Sequence, residues 1–417
     1  MIYLLVKGVV NLSLELSNSQ YKLEDLCLQI TDGKHGDCEN QENSGYYFVS
    51  VKDIDEGEIH YSNARQITKY DFEDTDKRTR LENEDILITN SGTIGKFVFV
   101  NSPLSRKTTF QKSVAIIKPN KNKILPKFLY YYLISEKRRL IEYAGGTTQK
   151  NLLLRDIRNF EVEVPDEFHQ KKIIEILNTI DELIKTKKKL NKNLNHQRKL
   201  LFKNWFIDFN DFSDYELYDT AFGLIPKTWH IYDFKEILTK RTEKSNDDSI
   251  PMFSVTNTGI HPREDKFNKK LSASTSKFKL IYKNDLVFGM SREILNWGLM
   301  EEQIGGVSSA YNVFRINEEK INPFYLKSFI ENYMPYFKDI IKPASREGQG
   351  IDQNVLLIKQ IYVPPENIFN EFYNIDINFN KLINLNKIKI DKLTNLRDVL
   401  LPKLMSGEID VSNINCE

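Results

Sequence analysis

Residues 91–96, SGTIGK, have the glycines and closing lysine of a loop that wraps a phosphate. The first glycine, however, lies too close to Gly95-Lys96, and no serine or threonine follows the lysine. A nucleotide site is therefore disfavoured, and a polar turn able to meet a nucleic-acid backbone fits these residues better. Residues 322–324, NPF, lack the second proline of an amino-methyltransferase motif, and no glycine-rich cofactor fingerprint precedes them. Glu161 and Glu163 alternate along an expected strand and so share one face. No lysine follows them at nuclease-like spacing, which leaves them as solvated strand carboxylates. The six histidines, His35, His60, His169, His196, His230 and His261, stand outside metal-ligand spacing of one another and outside any HExxH context. Cys27, Cys38 and Cys416 form no CxxC pair, so neither a disulfide framework nor a zinc site is expected, and a reducing cytoplasm is. A chain of 417 residues without a catalytic constellation is expected to bind rather than to catalyse.

The residues that favour binding are in three loops. Residues 31–37, TDGKHGD, form a glycine-rich polar loop with Lys34 and His35. Residues 145–150, GGTTQK, and 344–350, ASREGQG, each combine glycine with glutamine and a basic side chain just before an expected last strand. Glutamine matches adenine bidentately, arginine or lysine matches guanine, and threonine contacts either base or the thymine methyl. One such loop is ordinary; two at matching places favour contact with DNA.

They match because the chain repeats itself at an offset of roughly 200 residues. Asp85 corresponds to Asp285, Pro126 to Pro323, and Val164-Pro165 to Val363-Pro364. Two domain-sized copies imply a pseudo-twofold duplication and not a stacked solenoid. Each copy reads as mixed α/β, with short β-rich runs (85–89, 96–100 and 113–118; then 283–289 and 311–316) and a helix after Pro126 or Pro323. The strand–long helix alternation of a doubly wound parallel sheet is missing.

After each copy comes an apolar rhythm of alternating three and four. In the first it is Ile173, Ile176, Ile180, Leu183, Leu190, Leu194 and Leu201, interrupted by Lys187 and Gln197. In the second it is Phe372, Ile375, Phe379, Leu382, Leu393, Leu396 and Leu400, interrupted by Asn386 and Lys389. These predict two coiled-coil helices of matching length, paired antiparallel as a pseudo-twofold requires. A helix of about 40 residues spans roughly 60 Å, a suitable spacer. The expected class is thus α+β, with two recognition domains separated by two long antiparallel helices. The expected divisions are an N-terminal extension (1–20), a first domain (21–165), a spacer helix (166–207), a connector and second domain (208–365), a second spacer helix (366–405) and a tail (406–417). The extension's apolar run is too short to span a membrane and lacks the flanks of a signal peptide.

The formal charge of +1 gives no global sign of nucleic acid, so any such sign must be local. Lys185, Lys187, Lys188, Lys189, Lys192, Arg198, Lys199 and Lys203 crowd the first helix. Lys381, Lys387, Lys389, Lys392, Arg397 and Lys403 do so on the second. Such faces can neutralise phosphates with a salt-dependent affinity. A stand-alone nuclease or methyltransferase, or a coiled-coil scaffold that binds only protein, are the alternatives these residues leave open.

The arrangement resembles the specificity subunit of type I restriction-modification enzymes from Tyr21 onward. The resemblance is carried by the stretch from Ile157 through FEVEVPDEFHQKKIIEIL (157–177), LFKNWFIDF (201–209), GLIPKTW (223–229) and LLPKLMSGEIDV (400–411). It implies a non-catalytic chain that reads a bipartite, interrupted site on double-stranded DNA, one half-site per domain. Adenine methylation and restriction would be carried out by two methyltransferase subunits holding S-adenosylmethionine and commonly two restriction subunits using ATP and magnesium, with the helices and the motifs LFKNWF and LLPKLM as docking surfaces. Expected DNA contacts are Lys34, His35, Ser91, Thr93, Lys96, Thr147, Gln149 and Lys150 in the first domain. In the second they are Arg292, Asn296, Arg346 and Gln349. SREILNWG (291–298) replaces SGTIGK there, which implies that the two half-sites differ.

Overall fold

The structure is a computed structural model; it describes residues 19–144, 151–212, 215–247, 249–263, 277–291, 293–341 and 350–412. The chain forms two compact units, unit 1 from residues 1–189 and 387–417 and unit 2 from residues 190–386. Each unit therefore includes part of both long helices, Glu167–Phe206 and Glu366–Met405.

In unit 1 an antiparallel sheet has the order Cys27–Asp32, Val114–Pro119, Ile86–Thr89, Phe97–Phe99. Its central strand is buried throughout because both faces are covered. Ile86 and Ile88 pack with Phe128, Leu129 and Leu133 on one side, while Leu87 packs with Val49, Val98 and Phe110 on the other. That two-sided burial explains why the strand reads as an unbroken apolar run rather than an alternating one. Pro126 opens the covering helix, Pro126–Ser135, at the position where a missing N–H costs nothing. A two-stranded sheet of Ser19–Lys22 against Glu161–Val164 closes the domain, so its pairing reaches back to Ser19. Glu161 and Glu163 lie on the exposed face of that strand.

Unit 2 repeats the plan. Its sheet runs Leu238–Arg241, Asn312–Ile316, Leu286–Phe288, Trp297–Leu299. The helix Pro323–Asn332 again begins with proline, and His230–Asp233 pairs with Gln360–Val363. Even the buried acid at the start of the third strand recurs. Asp85 accepts the Glu82 N–H at 2.7 Å and pairs with Lys118 at 2.6 Å; Asp285 accepts the Tyr282 N–H at 2.8 Å and pairs with Arg241 at 2.7 Å. Burial pushes both carboxyls above the usual carboxylate range, against the pull of their cations. The units diverge in their smaller sheets. Unit 1 has Arg65–Gln66, Tyr47–Val49 and Thr108–Phe110 beside the helix Lys69–Thr79. Unit 2 has Lys244–Ser245, Phe278–Tyr282 and Ile304–Val307 with a hairpin, Phe253–Thr256 and Gly259–Pro262.

Within each unit the long helices pair antiparallel. In unit 1, Ile173, Ile176 and Leu177 share a core with Leu401, Leu404 and Met405, and Asp181 meets Arg397 at 3.2 Å. In unit 2, Asn191 accepts from Asn386 at 2.9 Å, Arg198 holds Asp376 at 2.6 Å, and Phe202, Trp205 and Phe206 pack with Ile368, Phe369 and Phe372. The seam corrects two expectations. Leu183, Leu190, Ile375 and Leu382 are 37–51% exposed and lie outside it, as do the exposed Gln197 and Lys389. Their places are taken by Ile184, Asn191, Asp376 and Ile383, one residue further along each helix. LFKNWF and LLPKLM, expected as docking surfaces, instead place Phe202, Trp205, Phe206, Leu401, Leu404 and Met405 in the cores.

Candidate nucleic-acid interface

Antiparallel pairing sets Ala115 opposite Asp32 and Val114 opposite Thr89. The loops that follow Asp32 and Thr89 therefore leave the unit 1 sheet at the same end. Residues 31–37 are fixed there by the Gly33 N–H donating to the Val114 carbonyl at 3.1 Å and the Lys34 N–H donating to the Phe110 carbonyl at 2.8 Å. Position 33 must be glycine, because a Cβ would stand 1.9 Å from the Phe110 carbonyl oxygen. The 91–96 loop is a tight turn: the Gly95 N–H donates to the Thr89 carbonyl at 2.9 Å, and the Thr89 hydroxyl accepts the Lys96 N–H at 2.9 Å. The Leu152 N–H donates to the Asn90 carbonyl at 2.8 Å, and Ser91 bridges to Asn151, so the chain leaving residues 145–150 arrives at this edge too. Three stretches far apart in sequence thus converge on one edge.

Unit 2 brings two of the corresponding segments together. Phe288 pairs with Asn312, and the loop after Phe288 leaves beside it. Gly350, which follows the second glutamine-bearing loop, approaches the Asn312 carboxamide, and Gln353 donates to Asn312.

The family model for the type I restriction modification DNA specificity domain matches residues 18–196. The MjaIX specificity subunit of Methanocaldococcus jannaschii is 27% identical over 79% of this chain and 78% of its own. Over most of its length the chain is therefore similar to the specificity subunits of type I restriction enzymes. The EcoBI specificity subunit of Escherichia coli is 30% identical over 31% of this chain and 27% of its own. In fold, the chain is similar to the S subunit of a type I system from M. genitalium, at a TM-score of 0.54 and 15% identity over 95% of this chain and 98% of the other.

The expected DNA contacts divide by what already holds them. His35 is 61% exposed, with its ring 3.1 Å from Asp32; Thr93 is exposed and Ser91 half-buried. These three can meet a ligand without breaking the fold. Lys34 and Lys96, expected to reach DNA, have partners inside the protein. Lys34 lies 3.1 Å from Asp71 and 3.3 Å from Asp74, while Lys96 donates to the Ile54 carbonyl at 2.7 Å and pairs with Asp55 at 3.2 Å. Asn296 shapes its own loop, donating from its carboxamide to the Met290 carbonyl. Thr147, Gln149, Lys150, Arg292, Arg346 and Gln349 lie outside the described residues. Among the helix cations, Lys188, Arg198, Lys203, Arg397 and Lys403 are paired, with Glu56, Asp376, Asp208, Asp181 and Glu408.

One cation was missed. Lys112 is exposed and has no ion pair among the described residues, and its N–H donates to the Lys34 carbonyl at 3.1 Å, so it stands at the edge itself. The sequence signal was its place in the turn just before the apolar strand Val114–Pro119. Among the described residues there is no group of acids, histidines and cysteines that could hold a metal, and no helix is long and apolar enough to cross a membrane.

Asp71 ties the 31–37 loop to its surroundings. It accepts the Glu39 N–H at 2.6 Å as well as the Lys34 ammonium, and those bonds, the first above all, hold its carboxyl below the ordinary value of 3.8. A lowered folded value means the contribution is complete above 3.8 and is lost as pH falls from there through the folded value. Asp71→Asn is therefore expected to destabilise the protein at pH 7 in guanidinium unfolding followed by circular dichroism, and to converge with the parent as the medium is acidified below pH 3.8. A gap between the two that is independent of pH would show that the charge of Asp71 is immaterial.

Proposed function

We propose that this chain reads a bipartite, interrupted site on double-stranded DNA, one half-site per unit, and directs adenine methylation and restriction by partner subunits. The observation that carries the reading is the duplication of one sheet topology with its polar loops at corresponding edges. Two readers within one chain suit two half-sites. Different small sheets and different tips, SGTIGK against SREILNWG, suit half-sites of different sequence.

Catalysis is assigned to partners. Two methyltransferase subunits would hold S-adenosylmethionine and receive the target adenine out of the stack; two restriction subunits would use ATP and magnesium. The exposed apolar residues of the helices, Leu183 in unit 1 and Leu190, Leu382 and Leu385 in unit 2, support docking of such partners, since water-exposed leucines in series along a helix are unfavourable alone. The setting is the cytoplasm, where the DNA is.

The test is the methylated sequence. The full chain is co-expressed with its methyltransferase subunits, and methylated adenines are mapped across the host genome. A two-part motif is expected. Ser91→Ala and Thr93→Val are each expected to relax a position in one part only, by about 1–3 kcal/mol of base discrimination. Lys112→Ala is expected to weaken binding to all sequences alike and to lower the salt dependence by about one phosphate contact. A one-part motif, or a motif unchanged by every one of these replacements, would refute the assignment.

A further inference from the structure

At the reading edge of unit 2, residues 289–291 and 293–296 differ from their unit 1 counterparts in where they send their apolar side chains. Leu295 and Trp297 are buried in the unit 2 core, but Met290 is 38% exposed and Ile294 59% exposed. The backbone that carries them is braced. The Gly289 N–H donates to the Asn296 carbonyl at 2.9 Å, the Asn296 N–H donates to the buried Ser291 hydroxyl at 2.9 Å, and the Asn296 carboxamide donates to the Met290 carbonyl at 2.5 Å. Two large apolar side chains thus stand in water on either side of this hydrogen-bonded backbone, although full burial of each is worth about 1.5–3 kcal/mol. In unit 1 the same positions are Asn90, which is buried, and Ile94, which packs half-buried against the core. There the tip offers the hydroxyls of Ser91 and Thr93 instead.

Glu293, exposed beside Ile294, narrows what this tip can meet. Its carboxylate can accept from the cytosine amine on a base edge. The apolar group that a base edge offers in the major groove is the thymine C5 methyl. We infer that Met290 and Ile294 are specificity-determining residues that contact thymine methyl groups in the half-site read by unit 2. The inference rests on the bipartite reading above and adds the chemistry of one half: hydroxyl hydrogen bonding by the unit 1 tip, methyl contact by the unit 2 tip.

The test uses the full chain assembled with its methyltransferase subunits and a duplex of the mapped site. Each thymine is replaced singly by deoxyuridine, which lacks only the methyl group. In the half-site left unchanged by the Ser91 and Thr93 variants, at least one replacement is expected to weaken binding about fourfold, the value of one buried methylene. The Met290→Ala/Ile294→Ala double variant is expected to bind the thymine and uracil duplexes equally. Equal binding of all duplexes by the parent, or a half-site without thymine, overturns the inference and leaves the bipartite reading standing. A double variant that loses its methyltransferase subunits while keeping the preference for thymine also overturns it, and assigns the tip to protein contact. A motif lacking a second half refutes the bipartite reading itself.

Discussion

Phe206→Ala is expected to lower the stability of unit 2 by about 3–5 kcal/mol, the range for deleting a buried ring. Phe206 is completely buried, and its ring stands 4.7 Å from Phe372, 5.0 Å from Phe202, 5.3 Å from Tyr325 and 5.6 Å from Trp229. These neighbours come from both long helices, from the helix Pro323–Asn332 and from the connector, so one ring joins four parts of the unit. Its carbonyl also accepts the Tyr362 hydroxyl at 2.5 Å. A cavity among rings that hold one another cannot collapse cheaply, which places the cost toward the upper end. The three tryptophans, Trp205, Trp229 and Trp297, all belong to unit 2, so their fluorescence reports on that unit. The guanidinium midpoint of the fluorescence change should fall with little change in slope. An unchanged midpoint would mean that the aromatic cluster tolerates the gap and that the unit is held by its sheet.

Such a cluster was visible in the sequence only as a resemblance. LFKNWF reads equally well as a docking motif and as a core, because helical spacing of aromatic residues does not say what covers them. What was legible was the order of elements. Apolar runs such as ILIT marked buried strands, Pro126 and Pro323 marked helix starts, and the repeat tied each to its counterpart. The faces of the long helices were harder. Leu183 and Ile184, or Leu382 and Ile383, are adjacent apolar residues, and periodicity alone cannot choose between them. The choice is made by polar residues that find partners across the seam: Asn191 with Asn386, Arg198 with Asp376 and Asp181 with Arg397. A buried pair of this kind fixes register in coiled coils, and its signal is a polar residue at core spacing on both helices at once.

The candidate interface shows the same division. Glycine-rich polar loops named the edge, because chain segments that leave a sheet at one end must cluster there. The roles of single residues were not legible. Lys34 and Lys96 looked like free cations, but the carboxylates that engage them, Asp71, Asp74 and Asp55, come from parts of the chain whose proximity only the fold decides. Ile94 and Ile294 occupy the same place in the repeat, yet one packs inward and the other stands in water. Position 95 in unit 1 is a glycine with φ +80° whose Cβ would meet Ile141 at 2.9 Å, whereas unit 2 has Leu295, buried in its core. A substitution beside a residue, and not the residue itself, decides which way it faces.

Asp376→Ala is expected to cost about 3 kcal/mol, the lower part of the range for breaking a buried ion pair, since Arg198 keeps some exposure to water. Arg198 holds both oxygens of Asp376, at 2.6 and 2.9 Å, and Asn380 donates to the same carboxylate at 2.8 Å. Removing the acid leaves a guanidinium inside the seam without the carboxylate that holds it. Replacing both residues by leucine removes that penalty and adds apolar contact at two seam positions, so Arg198→Leu/Asp376→Leu should recover most of the loss. With the single variants Arg198→Leu and Asp376→Leu completing the cycle, the interaction energy read by tryptophan fluorescence is then large and opposite in sign to the single losses. Additive losses would instead show that each side chain acts through other neighbours. The recovered variant is also informative about function: two leucines face a helix in any register, whereas the arginine–aspartate pair accepts one. If stability returns but methylation by the assembled complex does not, the ion pair serves the alignment of the helices more than their stability.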